Sequence, residues 1–358
     1  MKHHTIQLHT EDGEQIRFDC AEEEDVITAG LRNRVILMSE CRKGTCTTCR
    51  ALCTEGEFEL GRGVNVYSLP PEDQDEGYTL LCQTYPRSDL RVELPYGMDR
   101  VTFGSTRPDQ EQGLLVEVAS LRRWTEHVVS LGLRLLPEEN GSQCFPFQPG
   151  QYVNLRVPDS GNWRSYSMAS CPGWPKSGRS SGTVIELMIR LLENGSFSRY
   201  LRSSAKTGDR LDMRGPFGTF GLHPSDGRPR YFVAGSTGLA PLVSMLRSLA
   251  LKKDPTPARL IFGMRDRAHF FYEDEIEEIA GELPSLRVDL ALESAHPGWK
   301  GRQGNVVKTL EAVLEETGDE PDLYICGPAP MVESVEGLCQ KRRVPPKRIH
   351  TEPYQATG

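Results

Sequence analysis

Apolar and polar residues alternate from the first decade of the chain: Ile6 and Leu8, then Ile16 and Phe18, occupy every second position of residues 5–10 and 15–20. A period of two predicts strands, and the intervening Glu11-Asp12-Gly13-Glu14 predicts a hairpin turn. Residues 25–35 have helical spacing, and short strand-like runs follow at 51–53, 58–60 and 90–94. Short strands around one helix make a small α+β domain. Its end is expected within residues 95–112, where Gly, Pro, Ser and charged residues gather into a linker.

The pattern then changes twice. Residues 114–119, 128–135, 152–157, 184–192 and 210–214 read as strands bounded by Gly or Pro, the signature of a small antiparallel β-barrel. Residues 176–182, rich in Gly, Ser, Lys and Arg, read as a surface loop between two of them. From residue 228, strand and helix alternate: strands at 231–234, 260–262, 288–292 and 323–326, helices at 239–251 and 273–280. That order predicts an α/β doubly wound parallel sheet. The expected domains are therefore residues 1–104, 113–226 and 228–358.

Composition narrows the class. The chain has 358 residues, 37% hydrophobic and 26% charged, ordinary for a multidomain globular protein. The start, Met1-Lys2-His3-His4, lacks the apolar core of a signal peptide, and the longest apolar stretches fall short of a membrane span. A cytoplasmic protein without a membrane partner is expected. The net charge of −8 is unevenly spread, because residues 1–98 hold 18 Asp and Glu against 10 Lys and Arg. An acidic first domain disfavours nucleic acid and suits a partner with a positive patch; a merely solubilising face is the alternative.

Six of the ten cysteines precede residue 98. Among them Cys41, Cys46, Cys49 and the distant Cys82 follow C-x4-C-x2-C…C, the plant-type [2Fe–2S] spacing. Two irons need four thiolates, and one tight loop supplies three of them if the backbone wraps the cluster. Gly44 and the small Thr residues beside it permit that wrap. A zinc site is the alternative, but zinc usually takes paired C-x2-C units, and only one pair is present. Cys20 and Cys53 read as small buried hydrophobes.

Four further motifs appear in order: Arg164-Ser165-Tyr166-Ser167; Gly195-Ser196-Phe197-Ser198; Gly235-Ser236-Thr237-Gly238; and Cys326-Gly327-Pro328 with Met331. With them the chain resembles the ferredoxin–NADP reductase superfamily, and with the ferredoxin segment in front it resembles the reductase components of multicomponent bacterial monooxygenases. Within that group the likeness is to the reductases of soluble methane and short-chain alkane monooxygenases. It covers essentially the whole chain, including Leu80-Leu81-Cys82-Gln83 and Leu94-Pro95-Tyr96.

The resemblance implies a ferredoxin-like β-grasp domain, an FAD barrel and a nicotinamide domain. It implies that hydride passes from NADH to FAD and that electrons leave singly through a [2Fe–2S] cluster, near −400 mV for this cluster type, to an oxygenase docked on the acidic domain. Arg164 suits a phosphate as a planar double donor, Tyr166 the flavin ring, and Ser167 its reactive edge. Gly195, Phe197 and Ser198 open a short helix, expected over 197–203, whose N–H groups suit the FAD pyrophosphate.

Gly235, Thr237 and Gly238 form a phosphate loop between strand and helix, although it is not the Gly-x-Gly-x-x-Gly fingerprint, and Ser236 stands where relatives carry Gly. By resemblance Cys326, Gly327, Pro328 and Met331 border the nicotinamide, and Cys326, Ser167 and Tyr354 are catalytic, with Tyr354, in the ending His350-Thr351-Glu352-Pro353-Tyr354, near the flavin. Relatives use NADH, while Arg265 and Arg267 after the second strand leave NADPH open. Rival readings are a reductase for a Rieske dioxygenase or deoxysugar system, and a non-catalytic iron–sulfur sensor.

Overall fold

The computed structural model describes residues 2–39, 44, 48–62, 64, 68–103, 114–136, 145–158, 160–174, 184–218, 220–223 and 226–354. They form two compact units, Met1–Gln112 and Gly113–Gly358.

In the first unit, β1 (His3–His9) and β2 (Gln15–Ala21) form the expected hairpin, with His3 opposite Ala21 and His9 opposite Gln15. Alternation buries Ile6, Leu8, Ile16, Phe18 and Cys20 on one face. Helix α1 (Val26–Arg32) starts at Asp25, whose carboxylate accepts from the Thr28 N–H at 3.0 Å. It ends three residues before the expected limit because Arg34 turns left-handed at φ 64°. Val35 instead opens β3 (Val35–Ile36).

The chain continues through β4 (Arg50–Glu55), β5 (Phe58–Leu60), α2 (Pro71–Asp75), β6 (Tyr78–Leu80), β7 (Thr84–Pro86), β8 (Leu90–Glu93) and β9 (Thr102–Phe103). The main sheet has the order β2-β1-β8-β4-β6, with β1 and β8 parallel. It shares one core with α1, in which Val26, Ile27, Leu80 and Val92 are buried. This is the α+β architecture expected.

In the second unit, β10 (Leu114–Arg123), β11 (Val128–Leu135), β12 (Tyr152–Arg156), β13 (Trp163–Ser167), β14 (Val184–Arg190) and β15 (Arg210–Phe217) form an antiparallel sheet ordered β13-β12-β15-β10-β11-β14. A bridge between Met168 and Leu187 joins its two ends into a barrel. Helix α3 (Ser196–Ser203) connects β14 to β15 and begins one residue earlier than expected.

The rest is a six-stranded parallel sheet ordered β19-β18-β17-β16-β20-β21. In chain order it runs β16 (Arg230–Gly235), α4 (Leu239–Lys252), β17 (Ala258–Met264), α5 (Glu273–Glu282), β18 (Leu286–Leu292), β19 (Arg302–Gln303), α6 (Val306–Thr317), β20 (Asp322–Pro328), α7 (Ala329–Lys341) and β21 (Ile349–Tyr354). Phe232 and Ala234 of β16 face α4 and α5, and Tyr231 and Val233 face α6 and α7. Both faces are covered, which is why the strand reads as a continuous apolar run. Helices α6 and α7 were not anticipated, although Asn305 caps α6 by accepting from the Lys308 N–H at 3.0 Å and Gly318 ends it at φ 68°.

Candidate functional site

The order of the parallel sheet reverses at β16, with β17 on one side and β20 on the other. Helices leave such neighbours in opposite directions, so a crevice opens at their carboxyl ends. Here it is a cleft of about 1020 Å³ whose lining includes Gly235, Ser236, Arg265, Glu293, Pro328 and Met331, with Arg123, His127 and Arg190 from the barrel.

Gly235 lines the cleft, and Gly238 and Gly327 pack closely beside it. A Cβ on Gly235 would run into Met331 Sδ, one on Gly327 into Met331 Cε, and one on Gly238 into the Cys326 carbonyl. The predicted Gly235, Gly238, Gly327, Pro328 and Met331 are thus brought together. Ser236 adopts φ 52°, the left-handed conformation glycine favours, so the sequence departure falls on a residue under backbone strain.

Strand β21 lies beside β20 with Cys326 opposite Glu352 and Pro328 opposite Tyr354. Glu352 is buried, and its Oε2 accepts from Ser167 Oγ at 3.1 Å and from Cys326 Sγ at 3.7 Å. Burial raises the Glu352 carboxyl from 4.5 to about 7, opposed by the hydrogen bonds from Ser167 and Cys326. Three groups that hold or share a proton therefore meet where barrel and sheet join. Tyr354 donates to Gly235 O at 3.1 Å, and Thr237 Oγ1 lies 3.5 Å from its hydroxyl, so the phenol stands on the glycine turn. Burial raises the Tyr354 hydroxyl as well.

On β13, strand alternation sets Arg164 and Tyr166 on one face and Ser167 on the other. Tyr166 packs on Phe197 with ring centres 5.5 Å apart, and burial raises its hydroxyl. Two of the predicted residues make structural contacts here. Phe197 is a barrel-core side chain, and Ser198 Oγ accepts from the Leu192 N–H at 2.9 Å. Both hold the start of α3 in place, next to Gly195. Ser196, which opens α3, carries a buried hydroxyl with no partner among the described residues. A helix start with free N–H groups and an orphaned hydroxyl fits a phosphate.

In the first unit, the Leu81 N–H donates to Cys49 O at 3.0 Å, which joins the backbone segments that carry Cys49 and Cys82. Both thiols are almost fully buried, at 2% and 3% exposure, so neither is a surface cysteine. Gly44 adopts φ 76°. Cys41 and Cys46 lie outside the described residues. Cys20, buried with its thiol pushed up to about 12 by desolvation, matches the expected structural role. Cys53 is only partly buried.

The residues present fit the expected cofactors: a tight glycine turn at the cleft for a dinucleotide, a hydroxyl unpartnered among the described residues at a helix start for a pyrophosphate, and two buried cysteines on neighbouring segments for a cluster. Comparison with known proteins agrees. Residues 9–87 match a 2Fe-2S iron-sulfur cluster binding domain, 128–221 an oxidoreductase FAD-binding domain and 232–337 an oxidoreductase NAD-binding domain. Fold and site together define a flavin- and iron–sulfur-containing oxidoreductase that uses NADH.

The chain is 40% identical to methane monooxygenase component C of Methylosinus trichosporium over 87% of its own length and 86% of that protein. It is 31% identical to the propane 2-monooxygenase reductase component of Mycolicibacterium goodii, over 95% and 94%. It is 30% identical to the toluate 1,2-dioxygenase electron transfer component of Pseudomonas putida, over 99% of both. The structure superposes on that of the cytochrome P450 reductase GcoB of Amycolatopsis with TM-score 0.78 and 29% identity, over 98% and 99% of the chains. The chain belongs to the family of electron-transfer reductase components of multicomponent oxygenases.

Several residues at the site escaped the motif search. Arg123, Arg190 and Glu293 line the cleft but belong to no motif. Arg267 is turned away to pair with Glu273 at 2.7 Å, leaving Arg265 as the cleft residue of the two.

Proposed function

We propose that this chain is the reductase component of a di-iron monooxygenase acting on methane or a short-chain alkane, located in the cytoplasm. The observation that carries the reading is the 40% identity to methane monooxygenase component C, because a match over 87% of the chain reaches into all three modules. When bound, the flavin accepts a hydride from NADH and splits the pair for a one-electron cluster.

The chain's own residues position and protect these groups. Arg164, Ser196 and the first N–H groups of α3 hold the flavin pyrophosphate, and Tyr166 lies against the ring. Ser167 reaches the reactive edge. Gly235, Thr237 and Gly238 seat the nucleotide phosphates; Gly327, Pro328 and Met331 border the nicotinamide, and Tyr354 covers the approach. Glu352 Oε2 accepts from Ser167 Oγ and Cys326 Sγ, so that the hydroxyl and thiol stay oriented toward the transfer site. Cys41, Cys46, Cys49 and Cys82 hold two irons in the first module.

The acidic surplus of residues 1–98 suits docking of the first module on a positively charged oxygenase surface. A reconstitution assay tests the proposal. NADH-driven product formation is measured with a purified di-iron alkane hydroxylase and, in parallel, with a Rieske dioxygenase, at rising salt. The reading predicts turnover with the di-iron enzyme that falls as salt screens the docking charges. Turnover only with the dioxygenase, toward which the toluate relative points, overturns it.

A further inference from the structure

Between the barrel and the parallel sheet lies a buried polar ring that the site described above does not use. Arg247 on α4 donates through Nη1 to Glu186 Oε2 at 3.2 Å and to Ala169 O at 2.9 Å. Its Nη2 donates to the Tyr272 hydroxyl at 2.8 Å, and that hydroxyl donates to Glu186 Oε2 at 2.8 Å. One helical turn before Arg247, Ser244 Oγ donates to Ser170 O at 2.6 Å. Arg247 is 7% exposed and Tyr272 1%.

Each member is tied to a functional segment. Helix α4 leaves directly from the Gly235–Gly238 turn. Ala169 and Ser170 follow the strand that carries Arg164, Tyr166 and Ser167. Glu186 sits on β14, whose end at Arg190 lines the cleft, and Tyr272 ends the loop from Met264 that lines its other wall. Tyr272 holds φ 69°, a strained conformation for a bulky residue, and its ring packs on Trp124 of the barrel at 5.1 Å.

Stability alone is a weak reason to keep such a ring. Taking a guanidinium and a carboxylate out of water costs about as much as their attraction returns, and well-packed apolar residues often serve as well. What the ring supplies is one fixed geometry, since a planar guanidinium accepts few arrangements of its partners.

We propose that Arg247, Glu186 and Tyr272 form a positioning latch that fixes the nucleotide-binding sheet against the flavin barrel, and so sets the approach of nicotinamide to flavin rather than the affinity for the nucleotide. These are positioning residues, acting through the backbone of the two cofactor segments.

Tyr272→Phe tests this, because it keeps the ring against Trp124 and removes only the hydroxyl. The latch predicts that the limiting rate of flavin reduction by NADH, in rapid mixing, falls about ten- to hundredfold, while the apparent Kd for NADH stays within about threefold. It also predicts a weaker long-wavelength absorbance from the stacked rings, and faster hydrogen exchange of residues 265–272 in the purified full-length protein.

A triple variant, Glu186→Leu with Arg247→Met and Tyr272→Phe, separates geometry from stability. It is expected to melt close to wild type and still reduce flavin slowly. Wild-type limiting rate, ring absorbance and exchange in Tyr272→Phe, with a change only in melting temperature, overturn the latch; so does a stable triple variant with the wild-type rate. Should either variant fail to fold, Glu186→Gln, which keeps the side-chain shape, carries the same two outcomes. Loss of NADH-driven reduction in the wild-type chain would instead contradict the reductase assignment, so the two failures are distinguishable.

Discussion

Replacing Glu352 by Gln isolates the one buried carboxyl at the junction of barrel and sheet. In the folded chain its pKa rises from 4.5 to about 7, chiefly because burial penalises the charged form. A carboxyl with a raised folded-state pKa favours folding in full below its unfolded value. That contribution fades as pH climbs from about 4.5 to about 7 and is gone above it. At roughly 1.4 kcal/mol per unit, the shift amounts to about 3 kcal/mol lost across the window.

Glu352→Gln cannot ionise, keeps the shape, and still offers an oxygen to Ser167 and Cys326, so this component of the pH dependence should vanish. All four tryptophans, at 124, 163, 174 and 299, lie in the second unit, so urea unfolding followed by their fluorescence reports that unit alone. With an m-value of about 3 kcal/mol per M, the wild-type midpoint should fall by about 1 M more than the variant's between pH 5 and pH 8. Parallel curves for the two proteins would refute a buried, proton-holding Glu352.

Three shorter predictions concern the cofactor sites. Gly238→Ala places a methyl against the Cys326 carbonyl, which is backbone and cannot move aside; the Kd for NADH, from titration of the flavin-loaded protein, should weaken at least tenfold. Glu293, just after β18, shares the cleft lining with Arg265; with the adenosine end of the nucleotide seated between them, Glu293→Gln should raise the NADPH-to-NADH ratio of kcat/KM about tenfold. An unchanged ratio places the nucleotide's adenosine end elsewhere. Cys82→Ser should abolish the cluster's visible absorbance while NADH still bleaches the flavin, because the thiol belongs to the first unit and the flavin cradle to the second.

What was legible in the sequence was local. Alternation at Ile6, Leu8, Ile16 and Phe18 gave the first hairpin, and the glycines at 235 and 238 marked a turn in which Gly238 packs directly on the Cys326 carbonyl. The thiol spacing singled out Cys49 and Cys82, whose backbone segments are joined by the Leu81–Cys49 hydrogen bond. Contacts formed across long sequence separations left no such trace. Ser167 and Glu352 are 185 positions apart, and Arg247 and Ala169 are 78 apart. No period or spacing marks a residue chosen for what the fold brings opposite it.

Side-chain direction was the other gap. Phe197 and Ser198 were expected at the cofactor, and the contacts the fold also gives their side chains, into the barrel and back onto Leu192, left no trace in the motif. The helix ending at Arg32 shows the same limit at the backbone level, since a left-handed Arg34 is not announced by its residue type.

Anaerobic titration of the purified chain with NADH, followed by visible absorption and low-temperature paramagnetic resonance, tests the central claim most directly. Hydride entry at the flavin and one-electron exit through four thiolates predict bleaching of the flavin together with the signal of a reduced [2Fe–2S] cluster. Flavin bleaching with no iron signal, even after excess NADH, would contradict it.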